Sequence, residues 1–180
     1  MNKKKTAKTL EILKYPDPRL RQKSEEIPLE KILSQEFQEF LDNLEITMIE
    51  KDGAGLAAPQ VGRLERVVTI SDNGKTYFLI NPKINKRSWA RESEEEGCLS
   101  LISPNGEIIY DIVERRKKVT CVYLDRQGKR QSLSGEKLLA RAIQHEIDHL
   151  DGVLFIDHLN RQKISAATAA ALEKLDKLKQ

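Results

Sequence analysis

The sequence predicts an α+β fold: antiparallel strands wrapped around one central helix that bears the string His145-Glu146-Ile147-Asp148-His149, with an outer helix in the N-terminal half and another at the C-terminus. Three observations predict it. Between residues 35 and 50, apolar residues recur at three and four, the period of an amphipathic helix. Two alternating stretches, 66–81 and 118–133, are broken by Asp72-Asn73-Gly74 and by Asp125 to Lys129, as hairpins are. A second helical period, through Leu138, Leu139, Ala142, Ile143 and Ile147, runs into the histidine string and stops at Leu150-Asp151-Gly152.

Taken in order, residues 1–9 read as a disordered basic arm, 10–160 as a single domain and 161–180 as a C-terminal helical extension. Tyr15-Pro16-Asp17-Pro18 forbids a continuous helix, and Asp17-Pro18 caps and opens a short turn through Arg21. Phe37, Phe40, Leu41, Leu44, Met48 and Ile49 form the core stripe of the 35–50 helix, which Lys51-Asp52-Gly53 ends. Arg66–Ser71 and Lys75–Asn81 make a hairpin that Asn81-Pro82 closes, and 83–89 a further strand anchored by Trp89. Residues 101–118 carry the weakest pattern: a turn at Ser103-Pro104-Asn105-Gly106, an apolar Ile108-Ile109-Tyr110, and Arg115-Arg116-Lys117-Lys118 as a solvated edge. Lys118–Leu124 alternates as a strand with Cys121 as core filler, and Arg130–Leu133 pairs back on it. Ser134-Gly135-Glu136 opens the central helix. Val153–Ile156 follows it as a short strand or extended segment, and 161–179 as an alanine-rich, then lysine-rich helix.

Composition closes several function classes. The chain has 180 residues, 39% hydrophobic and 33% charged, which suits one globular domain. A net charge of +3 is too weak to argue for nucleic acid, and 5% aromatics leave no large base-stacking surface, so DNA is not an expected partner. No apolar run reaches membrane-spanning length, and MNKKKTAKTL lacks the apolar stretch of a signal peptide. Two cysteines, Cys98 and Cys121, make no disulfide framework, so a reducing cytoplasm is the expected compartment.

Two of the three histidines, His145 and His149, fall one helical turn apart on one face, the spacing at which two imidazoles grip one metal ion. Glu146 lies beside them, and a metal, a water and a carboxylate make a hydrolytic centre. The bland alternative is a surface helix carrying the string by accident. Upstream, Gly53 and Gly55 allow close backbone approach, while Pro59 and Gln60 stand where a dinucleotide fingerprint needs a glycine and a helix start. Gln60 is either a polar residue on a turn or an amide aimed into a site. Cys98 is either a buried inert cysteine or the thiolate that two histidines need as a third partner. His158 reads as a surface or packing histidine.

Taken together, GAGLAAPQ, EEGCLS and QHEIDHL resemble the motifs of the peptide deformylases, in the same order and at similar spacing, over Leu10 to Leu159. The resemblance implies a cytoplasmic metallohydrolase of protein biosynthesis, with 10–160 as its catalytic domain, that removes the N-formyl group from nascent N-formylmethionyl peptides and releases formate. It implies Cys98, His145 and His149 as metal ligands and Glu146 as general acid/base. Gln60 and the backbone N–H of Leu99 match the pair that steadies the oxyanion. Hydroxide generated at the metal attacks the formyl carbon, and Glu146 carries the proton to the departing amine. Gly55 and Leu56 match the loop beside the cleft, and Gly53 and Gly97 are read with them as substrate-binding backbone. Helical spacing puts the methionine pocket at Leu138, Ala142 and the stem of Arg141, with Ala54 opposite; the Arg141 head contacts peptide or solvent.

The resemblance implies Fe²⁺ as the native metal, with Zn²⁺, Ni²⁺ or Co²⁺ as substitutes; a soft sulfur ligand by itself favours Fe²⁺ or Zn²⁺ over Mg²⁺ or Ca²⁺. It also suggests a ribosome contact through the C-terminal helix, on Lys163, Lys174, Lys177 and Lys179, where composition alone favours a plain capping or solvated helix. The sequence departs from the family after Ser100: Ile102 and Asn105 stand where a proline and an arginine are frequent, and Ile108–Lys118 is several residues longer. The departure bears on the peptide-backbone contacts and leaves the metal chemistry intact. Two readings compete. One is an HExxH zinc endopeptidase with His158 or Glu173 as third ligand. The other is a non-catalytic, metal-stabilised binding module, which needs a fourth protein ligand and leaves Glu146 without a role.

Overall fold

A computed structural model describes residues 7–159 and 164–179. In chain order the elements are α1 (Leu29–Ile32), α2 (Gln35–Glu50), β1 (Gly55–Ala57), β2 (Val67–Asp72), β3 (Lys75–Arg87), β4 (Arg91–Ile102), β5 (Ile108–Arg116), β6 (Lys118–Leu124), β7 (Arg130–Glu136), α3 (Lys137–Leu150) and α4 (Ala166–Asp176). Short 3₁₀ turns lie at Pro18–Arg21, Ala58–Val61, Phe155–His158 and Lys177–Lys179. The fold is α+β, as the periodicities predict. One antiparallel sheet has the order β1-β2-β3-β6-β7 and the other is the β4-β5 hairpin. The helix α3 packs against β1, β2, β6 and β7 on one side and touches β5 on the other.

Local chemistry accounts for the bounds. The Ser34 hydroxyl accepts the Phe37 amide and opens α2, whose Phe37, Phe40, Leu41, Leu44 and Met48 are buried as the helical stripe requires. Asp17 caps the Pro18–Arg21 turn by accepting the Arg19 amide. Asn73 and Gly74 both have positive φ, 49° and 75°, the conformation of the tight turn that joins β2 to β3.

Several expectations are corrected. The strand predicted to stop at Asn81-Pro82 continues as β3 to Arg87, because its register with β6 slips between Ile80 and Lys83 and absorbs the proline as a bulge. Trp89 anchors nothing: it is 96% exposed. Ser134-Gly135-Glu136 belongs to β7, paired with Val119 and its neighbours, and the helix begins only where Lys137 turns to a φ of 52°. Val153–Ile156 is no strand; Phe155 to His158 form a 3₁₀ turn. The stretch around Cys98, left without an element by its pattern, is β4, paired with β5 from Arg91↔Arg116 to Gly97↔Tyr110.

Of the predicted basic arm, residues 7–9 lie against α2: the Lys8 amide donates to Asn43 Oδ1, and Thr9 Oγ1 bonds Glu50. Residues 1–6 and the predicted boundary at 160–161 lie outside the described residues. No helix among the described residues is long and apolar enough to cross a membrane.

Candidate metal centre and cleft

Three side chains from two elements converge on one point. Cys98 comes from β4 where the register with β5 breaks, between Gly97 and Ile102. His145 and His149 come from consecutive turns of α3, with ring centroids 4.9 Å apart. The three ligand atoms lie within 4.8 Å of one another. Cys98 Sγ stands 3.2 Å from His149 Nε2. A sulfur and a nitrogen on one tetrahedral ion are about 3.5 Å apart, so the donor set fits a divalent cation.

The surrounding charges fit one too. Burial opposes a charge on His145, but the hydrogen bonds its ring donates to Cys98 and Glu96 outweigh it and hold its pKa well above the ordinary histidine range. A bound cation takes that proton's place. His149 is driven the other way by burial and by the cations around it, so its ring is neutral and able to ligate. The Glu96 carboxylate is ionised: burial alone would raise its pKa, but His145 and Arg115 bonded to it hold it far below the usual range. As the acceptor, Glu96 Oε2 fixes the proton of His145 on Nδ1 at 3.1 Å, which turns Nε2 toward Cys98.

Glu96 is the residue that the sequence reading missed. Its carboxylate also accepts Arg115 Nε and Nη2 at 2.8 and 3.0 Å and Arg141 Nη1 at 2.7 Å. Arg115, placed at a solvated edge by its charge run, is buried between Glu96 and Asp148. Arg141, expected to reach peptide or solvent, turns its guanidinium inward to Glu96, Val113 O and Glu92 O, although it lines the cleft. One signal was available: Glu96 and Cys98 are two apart on a strand and share a face, and a carboxylate on a buried face needs cations.

Gln60 is buried on the Ala58–Val61 turn, and both ends of its amide are engaged. Its Oε1 accepts the Ala57 amide at 2.8 Å, so its Nε2 faces Ser100 Oγ at 3.2 Å and Cys98 Sγ at 3.6 Å. Leu99 follows Cys98 in the break of the ladder, and its carbonyl accepts Lys14 Nζ at 2.6 Å. Glu146 is buried, and its Oε2 has no partner among the described residues. Burial, with Glu96 and Asp148 nearby, pushes its pKa up to about 7 against the pull of His145. Gly55 makes room for it: a Cβ there would stand 2.6 Å from Glu146 Oε1.

The cleft that opens beside these groups has a volume of about 270 Å³. Gly53, Ala54, Gly55, Gly97, Leu138 and Ala142 line it. Leu56 does not; its side chain is fully buried in the core with Phe40 and Met48, because β1 alternates and Leu56 points away from the cleft. Tyr110 and Ile108 of β5 form a wall that was not foreseen, the Tyr110 ring lying over Gly97 so closely that a Cβ would meet it at 2.3 Å. The alternative third ligands are elsewhere: His158 Nε2 bonds Asp148 at 2.8 Å and Glu173 accepts Lys177 Nζ at 3.0 Å.

Residues 9–165 match the family model of the polypeptide deformylases. A peptide deformylase of Nitrosococcus oceani is 43% identical over 161 residues, 86% of this chain and 91% of that one. One from Helicobacter hepaticus is 44% identical, over 86% of this chain and 85% of its own length. The solved peptide deformylase of Synechococcus elongatus, in complex with actinonin, superposes with a TM-score of 0.81 at 39% identity, covering 98% of this chain and 91% of that one. The class I type b enzyme of Acinetobacter baumannii, with Met-Ala-Ser bound, gives 0.78 at 29% identity, over 86% and 100%. With the motif order, the fold and the Cys-His-His cluster in agreement, this chain belongs to the polypeptide deformylase family.

Proposed function

We propose that this chain removes the N-formyl group from N-formylmethionyl nascent peptides, with Cys98, His145 and His149 as metal ligands and Glu146 as the proton carrier. One observation carries the reading: a buried carboxyl whose Oε2 has no partner among the described residues, its pKa raised to about 7, beside a Cys-His-His cluster in an open cleft. The ion, when bound, supplies Lewis acidity that brings the pKa of a coordinated water toward ~7. Glu146, poised near neutrality, accepts a proton from the attacking water and returns it to the amine that leaves. The Gln60 amide, locked by Ala57, directs its N–H₂ toward the same point, where with the Leu99 N–H it meets the negative charge that develops on the formyl oxygen. Gly53, Gly55 and Gly97 let the peptide backbone lie close, and Leu138, Ala142 and Ala54 offer apolar surface to the methionine side chain. The Met-Ala-Ser bound in the Acinetobacter baumannii relative supports a peptide in this cleft.

Glu146→Ala tests the reading. It keeps the metal and loses formate release from formyl-Met-Ala-Ser by ~10²–10⁴-fold; an unchanged rate removes Glu146 from the mechanism. Cys98→Ala loses metal and turnover together. We take the ion to be Fe²⁺, with Zn²⁺, Ni²⁺ or Co²⁺ able to replace it, and anaerobic purification with metal analysis tests that choice. We also place the enzyme in the cytoplasm, where nascent chains start, and read Lys174 and Lys177 on the C-terminal helix as a ribosome contact. Lys163 lies outside the described residues. Reversing both charges weakens ribosome co-sedimentation if that contact exists.

A further inference from the structure

The turn between β3 and β4 displays the chain's single tryptophan on a rigid mount. Trp89 is 96% exposed. The turn that carries it is tied down on both sides. The Ser88 amide donates to Lys118 O at 2.9 Å and the Lys117 amide to Ala90 O at 3.0 Å. Ser88 Oγ donates to Ala90 O at 2.8 Å and accepts the Lys118 amide at 3.1 Å. Arg116 Nη1 donates to Trp89 O at 3.1 Å. The four cation–π contacts among the described residues involve Tyr15, Phe40, Tyr77 and Phe78, so no cation covers the indole.

Cations crowd the same corner. Arg91, Lys117 and Lys118 are answered by Glu114, Glu92 and Glu136. Lys86, Arg87 and Arg116 have no carboxylate partner among the described residues, which leaves the corner positive. A preorganised, uncovered aromatic ring beside unanswered cations is what a stacked base and its flanking phosphates require. The few aromatics of the composition exclude a large stacking platform, and this corner offers one ring. A membrane surface fits less well, because Arg87, Ser88 and Ala90 add almost no apolar area to insert with the indole.

We infer that the β3–β4 turn docks single-stranded or looped RNA, Trp89 stacking on a base while Lys86, Arg87 and Arg116 meet phosphates. The corner lies seven residues along β4 from Cys98, roughly 23 Å at ~3.3 Å per residue, so an RNA held there leaves the cleft open.

Trp89 reports its own contact. Titrating the metal-loaded full chain with a 12-nucleotide oligouridylate quenches the tryptophan emission. Three phosphate contacts on a single strand give a log–log salt slope of about −2, so binding weakens roughly 20-fold between about 50 and about 200 mM salt. By anisotropy of labelled RNA, Trp89→Ala and the double variant Lys86→Glu/Arg87→Glu each bind roughly tenfold more weakly. Both release formate from free formyl-Met-Ala-Ser at the wild-type rate, which shows that they are folded. An unquenched emission, or equal RNA affinity in Trp89→Ala, overturns the proposal. So does a blue shift with phosphatidylserine vesicles and none of these effects with RNA, which assigns the corner to a membrane.

Discussion

Replacing Glu96 by glutamine keeps the shape of the side chain and removes one charge and one acceptor. In the wild-type protein, four N–H groups converge on that carboxylate: two from Arg115 at 2.8 and 3.0 Å, one from Arg141 at 2.7 Å and one from His145 at 3.1 Å. Each oxygen accepts two of them, so an amide in either orientation turns its N–H₂ toward two donors. Both guanidiniums are buried, which removes solvent as a substitute. Breaking a buried pair costs about 3–5 kcal/mol. Arg115 keeps Asp148, and Arg141 keeps Val113 O and Glu92 O, so the low end applies, about 3 kcal/mol. At roughly 2–4 °C per kcal/mol for a chain of this size, thermal unfolding shifts down by roughly 6–12 °C. His145 and Arg115 Nη2 share Oε2, so where the N–H₂ takes that position His145 loses the acceptor that fixes its tautomer, and metal affinity falls about 10–100-fold. The sign with pH follows from the depressed carboxylate. Its contribution is present above the unfolded value of 4.5 and lost as pH falls below it, so Glu96→Gln unfolds with a flatter acid limb than the wild type. Differential scanning calorimetry and chelator competition measure both effects. A midpoint within about 2 °C of the wild type with an unchanged competition curve refutes the reasoning.

Gly55→Ala puts a methyl 2.6 Å from Glu146 Oε1 and 2.7 Å from its Cγ, so the carboxylate must move. Formate release drops by on the order of 10²-fold with the midpoint little changed; a wild-type rate shows that the position of Glu146 is not needed. Cys121 has its thiol pushed up to about 12 by burial, from 9.0, so its contribution to stability is full below about pH 9 and lost as pH rises toward 12. Urea unfolding should therefore show the wild type's advantage over Cys121→Ala shrinking above pH 9, and a constant gap contradicts it. Stripping the metal removes up to about 4 kcal/mol of linked stability at a thousandfold excess over Kd and so lowers the unfolding midpoint, and re-addition restores it; the same scan with and without chelator checks this.

What the sequence makes legible is what local geometry dictates. The bounds of α2 follow from a period and a cap, and the convergence of His145 and His149 from an i, i+4 spacing that any helix imposes. Cys98 stands out because two histidines need a third partner, and Gln60 because it is polar in a stretch of small apolar residues; the resemblance alone implies the oxyanion role of Gln60. The layer behind them was hidden. Glu96 lies 19 residues from Arg115 and 45 from Arg141; Glu96 and Arg115 stand inside runs of like charge, and Arg141 stands alone on an apolar helix stretch, so no local pattern pairs them. Their burial is decided by the β4-β5 register, which folds a face carrying Glu96 and Cys98 against α3. Trp89 failed in the opposite sense: an apolar residue after a strand reads as an anchor, yet the turn geometry points it outward. In both cases the charge or apolarity of the side chain was read correctly and its direction was not. Direction comes from strand pairing between distant segments, and the His145-Glu146-His149 string, being one helix, needs none of it. That is why the chemistry of this chain was readable before the charges that position it.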